Sequence, residues 1–250
     1  MREAPGAGRF WLPMRTGRTF FTVAAIANAL IIAAGFGFST YVRLYLGDPR
    51  FGGPTLPTLL RFHAAVATAW TVLLIVQARL IAGHRTRLHR RLGIAGGVLA
   101  AALVGLGWAV AVNATRRLVN EGGPGATLAL QFLIVPCQEL VVFTTLVGAA
   151  LWLRKRPDYH KRLILLGTLA LIPAATTRPF IPGSLAGTLA GFGLAEAMFV
   201  VACCLHDRRV LGRLHAATVW GGGLLLVTAG SRLLVAGTST WLAVARVLLR

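Results

Sequence analysis

The amino-acid sequence predicts an all-α fold, a polytopic membrane helix bundle of seven transmembrane helices with the N-terminus inside and the C-terminus outside. The first observation is composition, because 56% hydrophobic and 13% charged residues leave too little charge to cover a soluble globule of 250 residues. The second is a series of apolar runs, each about 20 residues long, which is the length that crosses a hydrocarbon core. The third is the placement of Lys and Arg in short clusters between these runs. That placement argues against nucleic acid as the partner that explains the net charge of +19.

The chain is expected to form three parts, a basic mobile tail over residues 1–18, a transmembrane domain over 19–236 and an amphipathic segment over 237–250. The first apolar run is longer than a signal-peptide core, so it is interpreted as a retained span. The fifth run is the weakest because Pro173 interrupts it. The seven predicted spans are 19–41, a run within 60–89, then 92–113, 127–153, 163–181, 184–205 and 215–236.

Turn and cap residues support several of these boundaries. The Gly-Gly-Pro-Gly segment at 122–125 ends the third span. Thr238 is positioned to cap a short C-terminal helix. The apolar face of that helix suits a membrane surface and consists of Trp241, Val244, Ala245 and Leu248.

The second span carries a polar stripe in which His63, Trp70, Gln77 and His84 recur every seven positions. A heptad drifts by only about 20° around a straight helix, so these residues share one face. The rise from His63 to His84 is roughly 31 Å at 1.5 Å per residue, which places the two histidines near opposite membrane surfaces. Trp70 is interpreted as a packing residue.

The distribution of positive charge predicts the orientation. With the N-terminus inside, 17 of the 26 Lys and Arg residues lie in the tail and the three even-to-odd turns on the cytoplasmic side. These short turns also predict that helices two and three, four and five, and six and seven are antiparallel neighbours. The expected partners are the bilayer and anionic lipid head groups at the cytoplasmic face.

The three inner turns contain a repeated pattern in which a histidine starts an odd-numbered helix and a glycine follows seven residues later. The glycine allows a neighbouring helix to approach closely. If the odd helices meet, the three imidazoles could bind zinc or copper, or a histidine pair could bind haem b. The alternative is that these histidines cap helices or contact lipid phosphates. The proposed ligands are His89, His160 and His215, the glycines are Gly96, Gly167 and Gly222, and the proposed supporting residues are His84, His206 and Asp207.

A second set of polar residues lies inside the apolar runs. Intramembrane polar side chains avoid lipid and often mark proton or substrate pathways. An ion pair between Glu196 and Arg232 with a purely structural role is the alternative. The candidates for a proton path or substrate pocket are His63, Gln77, Gln131, Glu139, Arg178, Glu196 and Arg232.

Several short motifs form a recurring set, namely Phe62-His63 with Trp70 and Gln77, Leu88 to Gly93, His160 to Leu163, and Asp207 with Leu214-His215 and Trp220-Gly221. This set resembles a family of predicted bacterial multi-pass membrane proteins. The resemblance covers about residues 20–245 and implies the topology and a location in the bacterial cytoplasmic membrane. A looser likeness to cytochrome b561-type membrane haem proteins rests on the histidines at helix ends and implies haem.

These patterns leave two main functional hypotheses and one weaker alternative. The first is a histidine-based metal- or haem-binding protein of redox type. The second is a permease or proton-coupled carrier that uses the midplane glutamates, and the third is a non-catalytic membrane assembly protein. The sequence has no Walker motif, dinucleotide-binding glycine loop or Ser-His-Asp order, so it does not favour ATP, NAD or serine-hydrolase chemistry. The three cysteines lie in apolar runs and are interpreted as packing residues.

Overall fold

A computed structural model describes the backbone of residues 13–37, 57–176 and 185–250, and the side chains of these ranges except 13–18, 124 and 185–192. All regular structure within these ranges is helical, as predicted. The helices are α1 Pro13–Phe36, α2 Thr58–Ala82, α3 Thr86–Glu121, α4 Pro124–Phe132, α5 Ile134–Trp152, α6 Pro157–Leu169, α7 Pro173–Thr176, α8 Leu185–Leu211, α9 Ala216–Val235 and α10 Ser239–Leu248.

Five helical stretches in the described ranges are long and apolar enough to cross a membrane. They are Thr19–Phe36, Thr58–Ala82, Thr86–Glu121, Gly125–Trp152 and Ala216–Val235. Length and composition therefore make the chain a multi-pass membrane protein. The predicted sixth span corresponds to α8, but the side chains of its first eight residues lie outside the described set.

Helix α1 begins earlier than predicted. It starts at Pro13, so the last six residues of the predicted mobile tail are helical, whereas residues 1–12 lie outside the described ranges. Proline suits the first turn of a helix because its missing N–H has no intrahelical partner there.

Prolines break two of the predicted spans. Pro136 cannot donate to the carbonyl of Phe132, the last residue of α4, and a new helix begins after Leu133. In the same way α6 ends at Leu169, four residues before Pro173. The predicted fifth span, 163–181, is therefore not one continuous helix, and residues 177–181 lie outside the described ranges.

The predicted pairing of consecutive helices is confirmed, because α2 packs on α3, α5 on α6 and α8 on α9. The repeated glycine of each pair lies against the preceding helix, also as predicted. A Cβ atom built on each glycine would stand 2.8–3.2 Å from a side chain of that helix. The contacts are Gly96 with Leu73, Gly167 with Val147 and Gly222 with Val200.

Trp70 belongs to the main apolar core, which confirms its interpretation as a packing residue. It is buried, and its indole meets the Phe143 ring of α5 edge-on at a centroid distance of 5.2 Å. The stripe on α2 therefore faces the bundle interior. His84 is not part of that helical stripe, because α2 ends at Ala82.

The C-terminal helix α10 is capped as predicted, since the Thr238 hydroxyl accepts a hydrogen bond from the Trp241 backbone N–H at 3.2 Å. Its apolar face, however, packs partly on protein. Ala245 is fully buried beside Leu130, and the Trp241 indole donates to the Leu130 carbonyl at 2.9 Å. Only part of the predicted membrane-facing surface, such as Val244, is exposed.

Candidate functional site

A buried ion pair between Arg162 and Asp207 joins α6, α8 and α9 near the turns that precede α6 and α9. The Arg162 guanidinium donates from Nε to Asp207 Oδ1 at 2.9 Å and also from Nη2 to the same oxygen. Oδ2 accepts from the Thr218 hydroxyl at 2.6 Å and from the His215 backbone N–H at 3.1 Å. One carboxylate thus accepts four hydrogen bonds from α6, α9 and the turn before α9. Asp207 was expected only to support a metal ligand, but its main role is to connect these helices.

Charge and hydrogen bonding keep Asp207 ionised. Burial alone would raise the pKa of this carboxyl group, but the hydrogen bonds from Arg162 and Thr218 and the positive charge of Arg162 lower it below its ordinary value. Both members of the pair are at most 3% exposed. Removing Arg162 would leave the Asp207 charge buried without this arginine, and removing Asp207 would leave Arg162 with the largely exposed Asp158 carboxylate, 3.7 Å from its Nη1 atom.

The start of α1 covers the same region. The Phe20 ring stacks on His206 with a centroid distance of 4.0 Å and an angle of 7° between the planes. The Phe21 ring meets His206 edge-on at 5.6 Å, and Lys161 Nζ lies 5.3 Å from the Phe21 centroid. His206 is therefore an aromatic packing partner of α1, and its expected role in supporting a metal ligand stays a prediction.

His215 caps α9, and helix capping is one of the alternative roles that the sequence left open for these histidines. Its Nδ1 atom accepts a hydrogen bond from the Ala217 backbone N–H at 3.1 Å, and its ring meets Tyr159 at a centroid distance of 4.6 Å. Nδ1 can accept only when the imidazole is neutral. Burial and the nearby Arg162 charge lower the pKa of His215, which favours that neutral form.

Acidification is therefore expected to weaken this cap. Because the folded-state pKa of His215 lies below its ordinary value of 6.5, the unfolded chain binds the proton more readily, and this contribution to stability is lost as the pH falls below 6.5. The variant His215→Asn keeps a cap acceptor that does not titrate, so between pH 7.5 and 5.5 it should lose less thermal stability in detergent than the wild type. His215→Ala, which removes the cap, is the control and should lower the free energy of unfolding by about 1 kcal/mol at pH 7.5. Equal acid sensitivity of the wild type and the Asn variant would contradict this role.

His89 and His160 do come together. Their ring centroids are 6.2 Å apart and their planes are nearly perpendicular at 88°. His160 Nδ1 donates to the Ala150 carbonyl at 2.9 Å, so Nε2 carries the lone pair. Gln77 lies here as well and donates to the backbone carbonyl of His89 at 3.2 Å.

The predicted three-histidine metal site is not formed in the described part of the chain. No group of three or more His, Cys, Asp or Glu side chains among the described residues is arranged to hold one metal ion. His215 uses Nδ1 as the acceptor of a helix cap, so its neutral ring carries the proton on Nε2. His84 occupies the turn after α2 with a left-handed backbone, φ 60°, where Arg85 N–H donates to the Leu80 carbonyl at 2.8 Å.

A second buried polar group joins α5, α8 and α9. Arg232 Nε donates to Gln138 Oε1 at 3.2 Å, and Gln138 Nε2 donates to the Ser231 hydroxyl at 3.0 Å. Arg232 Nη2 lies 3.7 Å from Glu196 Oε1, and the two side chains are 1% and 0% exposed. The proposed pairing of Glu196 with Arg232 is thus present, and Gln138 is the partner that the sequence-based candidate set lacked.

The other members of the predicted polar path are spread over the bundle. The His63 ring lies against Gly107 of α3, and Gln131 lies near Gly237, before α10. Glu139 is buried on α5, next to Gln138. Arg178 lies outside the described residues.

Asn28 of α1 is a further buried polar residue that the candidate set lacked. Its side chain is 0% exposed, and neither its oxygen nor its nitrogen has a hydrogen-bond partner among the described residues. An unsatisfied buried amide is costly and calls for an explanation. Its position as a lone amide inside an apolar run was the available sequence signal.

Comparisons with protein family profiles, with curated proteins and with solved structures returned no match for this chain. The class of protein is therefore inferred from the sequence and structure of this chain. The chain is a multi-pass helical membrane protein whose described part contains two buried ion pairs, one of them fully hydrogen-bonded and the other loosely paired.

Proposed function

We propose that the chain is a proton-coupled carrier of the bacterial cytoplasmic membrane and that Glu196 carries the proton. The observation that supports this function is the environment of Glu196. Its carboxyl group is completely buried, lies 3.7 Å from Arg232 Nη2 and accepts no hydrogen bond from the described residues. A charge at membrane depth with so few contacts is a marker of function.

The contrast with Asp207 shows why Glu196 suits this role. Protonation of Asp207 would disturb four hydrogen bonds, so that carboxylate suits a static structural role. Glu196 can take up or release a proton without breaking a hydrogen bond to the described residues. Its counterion, Arg232, is held in place independently by Gln138.

The broken helices also support a carrier. The breaks at Leu133 and before Pro173 interrupt the fourth and fifth proposed passes. Irregular backbone at membrane depth is tolerated where it is buried in protein or lines a cavity, and discontinuous helices often form transporter binding sites. We therefore place seven passes in the membrane, with α6 and α7 contributing to a broken fifth pass and α8 forming the sixth.

The proposed orientation has the N-terminus inside and the C-terminus outside. A reporter fused after residue 250 is expected to be extracytoplasmic, and one inserted near Pro157 should be cytoplasmic, because 17 of 26 basic residues then lie inside. Paired activity measurements with alkaline phosphatase and green fluorescent protein fusions test both positions. A cytoplasmic C-terminus would show that one pass has been counted wrongly.

Anionic lipid head groups are the proposed partners of the inner surface. The turn between α2 and α3 forms an open cleft of about 470 Å³ whose lining includes three arginines. Positive charge at this surface suits lipid phosphates. The lining residues are His84, Arg85, Thr86, Arg87, Leu88 and Arg91.

The experiment on the carrier function uses the substitution Glu196→Gln, which removes charge and proton exchange while keeping the side-chain size. Infrared difference spectra of the reconstituted protein between pH 8 and pH 5 should show a buried carboxyl C=O band that this variant lacks. The exposed-carboxylate control, Asp158→Asn, should keep the band, since the Asp158 side chain is 65% exposed.

Solute-driven proton flux is the functional measurement. Proteoliposomes that contain a pH-sensitive dye should show flux for the wild type and for Asp158→Asn but not for Glu196→Gln. Glu139→Gln tests the other buried glutamate. If both Gln variants retain the full wild-type flux, the carrier function is wrong.

A second candidate function is the binding of zinc, copper or haem b at His89 and His160. It is favoured by the Ala150 carbonyl, which holds His160 Nδ1 and leaves Nε2 as a ligand, the usual arrangement for metal-binding histidines. It ranks second because Arg90 and Arg91 disfavour a cation beside His89. Elemental analysis and a Soret band in purified protein test it. The bound group should be lost in the double variant His89→Ala/His160→Ala and retained in His84→Ala.

A further inference from the structure

We propose that His89 and His160 bind a monovalent copper ion, Cu(I), between two imidazole nitrogens near the start of α3. This inference rests on the second candidate function and names its ion, the geometry of its ligands and a third residue, Gln77. It is supported by the separation of the two rings, their available nitrogen atoms, the charge of the surroundings and the position of the Gln77 amide.

The distance between the two rings limits how they can share an ion. An imidazole nitrogen lies about 1.2 Å from its ring centre and about 2.0 Å from a bound metal ion, so two rings on one ion have centres at most about 6.4 Å apart. At a tetrahedral angle the centres would be about 5.2 Å apart. The observed distance between the His89 and His160 centres is 6.2 Å. These positions therefore fit two nearly opposed ligands, which suit Cu(I), better than the tetrahedral ligands of zinc.

Each ring has a nitrogen whose lone pair is available. The Nδ1 atom of His160 donates to the Ala150 carbonyl at 2.9 Å, so its Nε2 atom carries the lone pair. The Nδ1 atom of His89 is buried and has no hydrogen-bond partner in the described ranges. A buried polar atom without a partner is rare and calls for an explanation. Binding of an ion by Nδ1 satisfies this atom and leaves the His89 proton on Nε2.

The charge of the surroundings selects a monovalent ion. Imidazoles are neutral when they bind a metal, and the Gln77 amide is also uncharged. Arg90 and Arg91 follow His89 directly in the chain. Within the described residues, no carboxylate or thiolate joins the two histidines to form a metal-binding group of three. A divalent ion would therefore add two uncompensated positive charges beside the arginines, whereas Cu(I) adds only one.

The Gln77 amide lies against the residue that binds the ion. Its Nε2 atom donates to the His89 backbone carbonyl at 3.2 Å and would stand 4.0 Å from a Cβ atom built on Gly93. The amide thus fills space beside His89 that the flat ring of haem would need. Its Oε1 atom is buried without a hydrogen-bond partner among the described residues, so its carbonyl dipole is available to a cation. Gln77 is therefore a positioning residue for His89.

The first test titrates purified, metal-free protein in detergent with Cu(I), which is kept reduced by ascorbate and competed for by bicinchoninate. The wild type should bind one ion per chain. His89→Ala and His160→Ala should each weaken binding by roughly a hundredfold or more, beyond the usual effect of residues outside the ligand set. His84→Ala, which changes a histidine of the preceding turn, should bind like the wild type.

X-ray absorption of the copper-loaded wild type should show the strong pre-edge feature of two-coordinate Cu(I) with nitrogen ligands. A tetrahedral spectrum would overturn the proposed geometry. Wild-type affinity in His89→Ala would overturn the site, even if His160→Ala does not fold.

The second test changes Gln77. Gln77→Leu should weaken Cu(I) binding by roughly tenfold. Gln77→Glu should gain zinc, because a carboxylate compensates one more positive charge. Elemental analysis after exposure to equal amounts of Cu(I) and zinc measures the choice of ion, which should be copper for the wild type. Wild-type Cu(I) affinity in Gln77→Leu would show that Gln77 does not position His89.

The outcomes separate the ion from the function on which it rests. If the wild type binds zinc, or shows a Soret band, and both depend on the two histidines, Cu(I) is the wrong ion but the histidine pair remains a binding site. If neither ion nor haem binds to the pair, the second candidate function fails together with this inference. Proton flux that depends on Glu196 is measured independently and is unaffected by either result.

Discussion

Asp207→Ala is expected to destabilise the folded protein by roughly 3 to 5 kcal/mol, because it removes the buried carboxylate that accepts two hydrogen bonds from Arg162. The Asp158 carboxylate is 3.7 Å from Arg162 Nη1 but is largely exposed, so it replaces little of this interaction. The Arg162 side chain is 3% exposed, and its guanidinium donates two hydrogen bonds to the Asp207 carboxylate. The loss also removes acceptors of the Thr218 hydroxyl and the His215 N–H. Equilibrium unfolding in mixed micelles, followed by circular dichroism, measures the change in the free energy of unfolding.

An exposed ion pair provides the matched control. Glu121 lies 3.9 Å from Arg117, and both side chains are more than half exposed. Glu121→Ala should change the free energy of unfolding by less than about 1 kcal/mol. If Asp207→Ala costs no more than this control, the buried pair does not join the three helices as described.

The Asp207 carboxylate should make the free energy of unfolding depend on pH. Because the folded-state pKa of Asp207 is lowered from its ordinary value of 3.8, its contribution is present above pH 3.8 and is lost as the pH falls through the folded pKa. Asp207→Ala should therefore be less sensitive to acid in that range than the wild type.

Gly222→Ala is expected to destabilise the protein by about 1 to 3 kcal/mol through overpacking. A Cβ at this position would stand 2.8 Å from Val200 Cγ1, and the branched valine side chain has little rotational freedom to move away. Helix α9 would have to shift away from α8. The same unfolding measurement applies.

The adjacent glycine is the control for this substitution. A Cβ on Gly223 would meet nothing within 4 Å, so Gly223→Ala should be neutral or stabilising by up to about 1 kcal/mol through helix propensity. Similar losses in the two variants would show that the cost comes from reduced backbone flexibility and not from close packing of Gly222 against Val200.

The seven-residue spacing of histidine and glycine predicted the packing of the helix pairs but not the hydrogen bonds of each histidine. Each glycine faces the preceding helix because hairpin partners with short turns place the same positions at the interface. Each histidine bonds differently, since its partners come from different helices. The His160 ring donates to Ala150, whereas the His215 ring accepts from Ala217 and its backbone N–H donates to Asp207. Spacing alone contains no information about those partners.

Sequence patterns also identified only some of the buried polar residues. Glu196 and Arg232 stood out because charges inside apolar runs are rare. Gln138 and Asn28 are uncharged, and nothing in their sequence positions distinguishes them from the other amides inside the apolar runs. The role of each amide depends on its surroundings in the folded protein. Gln138 accepts a hydrogen bond from Arg232, whereas the Asn28 amide has no hydrogen-bond partner among the described residues.

The sequence by itself determined that this chain forms long apolar helices joined by basic turns, because helix formation and transfer into a membrane depend on residues within one run. It also indicated the interruption at Pro173, whereas the break at Leu133, near Pro136, was found only in the structure. Only the tertiary structure decided which polar groups meet. Arg162 pairs with Asp207 across 45 positions and Gln138 with Arg232 across 94, and such pairs depend on how each helix is rotated and placed against its neighbours.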